Sequence, residues 1–250
     1  MTPTPKTLYV HDDLSDEVAA AHGRDSAAAR GVAALLELVA RDADRVRILT
    51  LEAQLSALAG AGHAPFTVAV GIGRAGERVA RQLHARTGWF PRIERVALTR
   101  EETAAGYALS TLGGPPLDVQ LAGVADARSI AVVDDTVFSG LTMMAVLKGL
   151  DPGARARARV FCLRAVRESL TDVATVCPAS AGFVAAGRLL HDVSFINASG
   201  LVRRGAIRRA GQAPLAFYER TEWMRAWFLG DADEVTARCA ALARLLGEAS

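Results

Sequence analysis

The chain has 250 residues, 51% hydrophobic and 22% charged, which is the balance of an ordinary globular protein and excludes a disordered or fibrous one. Twenty-nine Lys and Arg face 27 Asp and Glu, for a net charge of +2, so no broad field for gripping nucleic acid or an anionic membrane follows. Only Lys6 and Lys148 are lysines; the arginine bias suits planar anions such as phosphate, and it equally suits an alanine-rich genome composition.

The first stretch, MTPTPKTLYVHDD, lacks the apolar segment of a signal peptide. His11-Asp12-Asp13 reads as a loop before a helix with acids in its first turn. The first third is expected to be mainly helical. Leu35, Leu38 and Val39 share one helical face, and Ile48, Leu51, Leu55 and Leu58 repeat at spacings of three and four until Gly60 and Gly62.

The middle changes character. FTVAV (66–70) predicts a strand, followed by the glycine-rich turn GIGRAG (71–76) and a helix over 77–86 with Val79 and Leu83 on one face. Residues 93–98 predict a second strand. The stretch from Leu98 to Ser129 has no clear apolar period, and a loop that long in a compact domain reads as a functional lid or a disordered segment. SIAVV (129–133) predicts a third strand, with a helix over 143–150. Asp151-Pro152-Gly153 reads as a turn before a fourth strand over 160–166. Strands alternating with helices imply an α/β fold, a parallel sheet with helices on both faces and its ligand site beyond the strands' carboxyl ends.

Towards the end, LLHDVSFINASGLVRRGAIRR (189–209) mixes polar and aromatic groups after a predicted strand. Its Arg203, Arg204, Arg208 and Arg209 form a local basic cluster, read either as a solvated surface or as a contact for an acidic substrate or an RNA. A last helix places Val235, Cys239, Leu242 and Leu246 on one face, with Asp231 and Glu234 as a capping box. Cys162, Cys177 and Cys239 are odd in number and form no CxxC pair, so neither a zinc site nor a disulfide framework is expected. No apolar run approaches the ~18 residues of a membrane span. A soluble, reducing, cytoplasmic setting is the expectation.

Two loops carry chemistry. In VVDDTVFSGLT (132–142) a buried strand delivers Asp134 and Asp135. A loop of small and hydroxyl residues follows, and Gly140 opens a helix. The free N–H groups and dipole at that helix start make an anion site, to which Thr136, Ser139 and Thr142 can add donors. The acids would repel a phosphate; they suit the hydroxyls of an attached sugar, or a metal bound to it. The plainer alternative is that Asp135 caps the helix and Asp134 is solvated. GIGRAG also matches the GxGxxG dinucleotide fingerprint, but an acid at the end of the next strand is missing, since Glu94 stands at that strand's start. A tight strand–helix turn would explain the same glycines.

VVDDTVFSGLT resembles the phosphoribosyl pyrophosphate (PRPP) motif of type I phosphoribosyltransferases. The resemblance implies that fold, with a PRPP-binding core over 63–187, an N-terminal helical segment over 1–62 and a C-terminal hood or packing segment over 188–250. It implies that Asp134 and Asp135 hold the ribose hydroxyls. Thr136, Val137, Phe138, Ser139, Gly140, Leu141 and Thr142 would cradle the 5′-phosphate, and Gly71, Ile72, Gly73, Arg74, Ala75 and Gly76 the pyrophosphate. Arg74 and Arg100 would join the acids as catalytic residues by stabilising the departing charge. Glu101, Glu102 and Tyr107 become contacts made on lid closure. Magnesium would enter bound to PRPP, with no direct protein ligand. The reaction implied is transfer of ribose 5-phosphate to a small nitrogenous base, for which His191, Asp192, Phe195 and Asn197 are candidate contacts. Purine-salvage relatives often place an Asp where this chain has Phe138, which argues against a hypoxanthine- or guanine-type acceptor. Phe138 could wall the acceptor pocket or pack on the sheet. The family fold often forms homodimers. A non-catalytic PRPP or nucleotide sensor and a dinucleotide-dependent oxidoreductase remain the alternatives.

Overall fold

The computed structural model describes residues 6–103, 106–111, 113–188, 191–209 and 211–247. β1 (Thr7–Asp12), α1 (Ser15–His22), α2 (Ala27–Val39), β2 (Val46–Thr50) and α3 (Leu51–Ala59) come first. β3 (Val68–Ile72), α4 (Gly73–Thr87), β4 (Ile93–Val96), β5 (Thr99–Thr103), β6 (Gly106–Ser110) and α5 (Leu117–Leu121) follow. Next are β7 (Ile130–Val137), α6 (Leu141–Gly149), α7 (Pro152–Ala156), β8 (Ala158–Val166), α8 (Arg167–Ala174) and β9 (Ala179–Ala185). The chain ends with β10 (Val193–Asn197), α9 (Ala198–Val202), α10 (Thr221–Trp227) and α11 (Ala232–Leu245). The fold is α/β, with parallel sheets flanked by helices.

The described residues fall into two units. One draws on the described residues within 1–51, 101–106 and 190–250; the other on those within 52–100 and 107–189. The first is built on a parallel sheet of order β10-β1-β2, with Leu8 level with Val193's neighbour Ser194 on one side and with Val46 on the other. Leu8 and Val10 bury themselves against Leu35 and Val39 of α2 and Val235, Cys239 and Leu242 of α11. The N-terminal segment is thus not purely helical: it holds β1 and β2, and Ile48 lies on β2 rather than on the helix with Leu51. Ile48 and Leu51 happen to be three residues apart across a strand–helix junction, which mimics one helical face. Asp12 accepts the N–H groups of Leu14 and Ser15 at the start of α1. The Asp231–Glu234 capping box does not form; Arg41 takes both carboxylates, at 2.7 and 3.2 Å.

The second unit holds a parallel sheet of order β4-β3-β7-β8-β9. Alternate residues face opposite sides. Val68, Val70, Ile130, Val132 and Val160 join Met143, Val146 and Leu147 of α6 in one core. Gly71 and Val133, of the other parity, meet α4. On the α4 side Phe161 anchors an aromatic group with Phe66, Trp89 and Phe90, at centroid distances of 5.5 to 5.8 Å. Helices therefore cover both faces. At the far strand, Gly182 of β9 admits α3: a Cβ there would lie 2.3 Å from the carbonyl oxygen of Gln54. At the other edge the Gln120 side chain accepts the N–H of Ala97, just past β4, at 2.6 Å.

The stretch expected to be a lid is structured. β5 and β6 pair with each other, and α5 follows them; Ala104, Ala105 and Leu112 lie outside the described residues. Asp151-Pro152-Gly153 is not a free turn but the start of α7. Asp151 caps it by accepting the N–H of Ala154 at 2.9 Å, and the proline takes a first-turn position where no N–H is needed.

This order creates a switch point. From β3 the chain crosses through α4 to β4, at the sheet's edge. From β7 it crosses through α6 and α7 to β8, in the opposite direction and over the other face. The two crossovers diverge, an order that in open parallel sheets places a crevice beyond the carboxyl ends of the strands concerned, here β3 and β7.

Candidate functional site

β7 brings the acids to this crevice. Its pairing with β8 continues to Val137, which is level with Ala165. Asp134, Asp135 and Thr136 therefore lie on the strand itself and not in a loop after Val133; the connection to α6 shrinks to Phe138, Ser139 and Gly140. Ser169 Oγ donates to the Phe138 carbonyl at 2.7 Å and pins this loop. Gly140 has φ +73°, a left-handed conformation that turns the chain into α6. Gly140 itself offers no side chain to cap α6; the Leu141 N–H reaches back to Ser139 Oγ at 3.4 Å, and the Thr142 N–H belongs to the same first turn. The Val137 side chain is buried in the core, which leaves only its backbone for a ligand.

The acid pair is neither a helix cap nor solvated. Asp134 is 9% exposed and its Oδ1 accepts the N–H of Asp135 at 2.8 Å. Burial and the neighbouring Asp135 charge push its pKa well above the usual carboxylate value, against a smaller opposite pull from Arg100. Asp135 Oδ2 accepts from Nη2 of Arg164 at 3.1 Å. Arg164 lies on β8 in register with Thr136 and is buried. In the sequence its only signal is a lone charge inside the apolar run VFCLRAV. Cys162, level with Asp134, is buried too, and burial raises its thiol pKa.

The GIGRAG segment meets the acid pair directly, although not as a loop. β3 ends at Ile72 and α4 begins at Gly73, which has φ +61°. A Cβ on Gly71 would lie 2.5 Å from the backbone of Glu77. One on Gly76 would lie 2.3 Å from the Val133 carbonyl oxygen and 3.2 Å from Cα of Asp134. Gly71 and Gly76 are thus required by the close packing of α4 on β3 and β7. Gly71 pairs with Val133, where the β3–β7 ladder ends, and Gly76 brings the start of α4 against Asp134. No side chain caps α4 at Ile72 either. Arg74 and Ala75 lie in its first turn, Arg74 exposed. Glu77 is held by Arg81 at 2.7 Å, which lowers its pKa.

Arg100, on β5, stands over two rings. Its guanidinium carbon is 5.5 Å from the Tyr107 centroid and 5.6 Å from that of Phe138. Phe138 thus supports Arg100 by a cation–π contact, a role neither expected for it. Glu101 is half-buried on the same strand; the side chain of Glu102 lies outside the described residues.

The candidate base contacts belong to the other unit. His191 Nδ1 and Asp192 Oδ1 are 2.7 Å apart at its surface. Phe195 is buried on β10 against Tyr9, with centroids 5.2 Å apart, and Asn197 ends that strand. Arg203 pairs with Glu17 and Arg204 with Glu219, so part of the basic cluster is neutralised within the unit. Leu189 and Leu190 lie outside the described residues. Among the described residues no group of three His, Cys, Asp or Glu side chains is placed to hold a metal, and no helix is long and apolar enough to cross a membrane.

No protein-family model matches the chain, and no curated protein matches it. Among solved structures it is similar to the AQ2163 protein of Aquifex aeolicus, at 14% identity and a TM-score of 0.41 over 74% of this chain and 90% of that one. It is similar to a hypothetical protein of Neisseria gonorrhoeae with bound ppGpp, at 15% identity and 0.39 over 76% and 88%. It is also similar to the purine phosphoribosyltransferase of Pyrococcus horikoshii, at 15% identity and 0.34 over 75% and 92%.

Proposed function

We propose that the crevice beyond β3 and β7 binds PRPP and that the protein transfers its ribose 5-phosphate to a nitrogenous base, releasing pyrophosphate. One observation carries this reading: the start of α4, which no side chain caps, packs against the backbone of Asp134, and the strand that bears the acid pair runs on into the start of α6, where only Ser139 Oγ meets an N–H, that of Leu141 at 3.4 Å. Helix N-termini suit phosphates, and carboxylates suit the hydroxyls of the sugar that joins them.

In this reading Asp134 and Asp135 orient the ribose. The backbone N–H groups over 136–142, with the hydroxyls of Thr136, Ser139 and Thr142, hold the 5′-phosphate. The junction of β3 and α4, residues 71–76, takes the pyrophosphate. Arg74 and Arg100 neutralise charge that grows on the leaving group, and Asp134 and Asp135 stabilise the positive charge that develops on the ribose. Arg100 is already steadied by Tyr107 and Phe138, so little reorganisation is needed. A magnesium ion suits this donor set as a passenger of PRPP, because such an ion needs few protein ligands and prefers carboxylate oxygens as donors. When bound it would offset pyrophosphate charge.

Titration calorimetry with PRPP and magnesium, followed by a pyrophosphate-release assay over a panel of purines and pyrimidines, tests the proposal. Binding with release supports transfer. Binding without release for any base leaves a sensor of PRPP instead, and no binding removes the pentose-phosphate site.

A further inference from the structure

Among the described residues Arg164 is the charged side chain that the fold hides most completely, at 1% exposure, and it sits directly behind Asp135. β8 sets it level with Thr136, and Nη2 reaches across to Asp135 Oδ2 at 3.1 Å. The two partners differ in access. The side chain of Asp135 is 20% exposed and that of Arg164 is 1% exposed. A ligand in the crevice can reach the carboxylate but not the guanidinium behind it. Asp134 is fixed by a different bond, the N–H of Asp135.

We infer that Arg164 is a positioning residue: it holds the Asp135 carboxylate in one orientation so that the ligand's hydroxyls meet a preset acceptor, and it does not touch the ligand itself. Two adjacent carboxylates repel each other and, unheld, would spread over several rotamers. A buried guanidinium cancels one charge and locks one rotamer, so that less order has to be imposed when the ligand arrives. Lysine offers a charge there but not a planar fork. This inference rests on the pentose-phosphate reading.

The test is a double-mutant cycle on PRPP affinity in the full chain, with D135N, R164M and the pair, and with R164K as the conservative variant. If Arg164 acts through Asp135, R164M weakens PRPP binding about tenfold, and adding it to D135N weakens binding less than about twofold further. R164K recovers part of the loss, a result that a purely structural role would not give in a variant with unchanged circular dichroism. Losses that multiply in the double variant, or an R164M chain that binds PRPP like the wild type, overturn the inference while leaving the site assignment standing. A wild-type chain that binds no PRPP overturns the parent reading, and this inference with it. Should R164M fail to fold, the same cycle run with R164K and D135N decides between coupled and multiplying losses.

Discussion

The backbone of Gly76 on α4 rests against the carbonyl of Val133 on β7, so closely that a Cβ would stand 2.3 Å from that oxygen. The glycine-rich segment and the acid pair, almost sixty residues apart in the chain, touch because of it. Gly76→Ala must push α4 off the sheet. Overpacking of this kind costs about 1–3 kcal/mol, and it should also weaken PRPP binding by displacing the helix start. Urea unfolding with a wild-type midpoint would count against this packing.

Asp134 gives the protein a pH signature. Its folded pKa is raised, first by burial and then by Asp135. Its contribution to stability is therefore intact below the unfolded value near ~4 and declines as pH rises towards the raised folded value. Asp134→Asn removes that penalty while still accepting the Asp135 N–H. The variant should melt higher than the wild type at pH 8, with the difference shrinking towards pH 4. A difference that stays constant with pH would show that Asp134 ionises freely.

Asp135→Asn keeps the shape of the side chain and removes its charge. Arg164 loses an ionic partner but retains an amide oxygen, so stability should fall by about 1–3 kcal/mol without loss of the fold. PRPP affinity should fall about tenfold or more, equivalent to ~1.4 kcal/mol. Calorimetry showing unchanged affinity would remove Asp135 from the site.

Gly140 is required for its backbone and not for space. A Cβ there meets nothing closer than 3.6 Å, which is ordinary contact, but φ is +73°. A side chain at this position is expected to strain the backbone rather than fill the phosphate cup. Gly140→Ala should cost about 1–2 kcal/mol and loosen the start of α6, which PRPP titration and thermal melting would both register. An alanine variant as stable as the wild type would contradict the left-handed turn.

Arg74 is exposed on the first turn of α4, so Arg74→Ala should leave stability within about 0.5 kcal/mol of the wild type. In the pyrophosphate-release assay it should lower kcat more than it raises KM for PRPP, because its charge is called on as the leaving group departs. Equal effects on both would take away that role.

Local pattern made much of the second unit legible. The apolar runs at 66–70, 129–133 and 160–166 overlap β3, β7 and β8, because a strand buried on both faces needs no alternation; β3 begins two residues later than its run and β7 extends four residues past its run. The acid pair and Gly140 stood out because their types and spacing are local. The β5–β6 pair was missed, since its short polar strands carry no period. β1 and β2 were read as part of a helical segment, since a few apolar residues fit either repeat.

Sequence by itself determined the class of fold, the strand that bears Asp134 and Asp135, and the helix start at Gly140, all set by neighbours within a turn or two of the chain. Tertiary structure alone decided that Gly71 and Gly76 serve packing, that Arg164 stands behind Asp135, and that Arg100 rests on Tyr107 and Phe138. Those relations depend on strand order and register, and a parallel sheet brings together residues whose separation along the chain carries no trace of their distance in space.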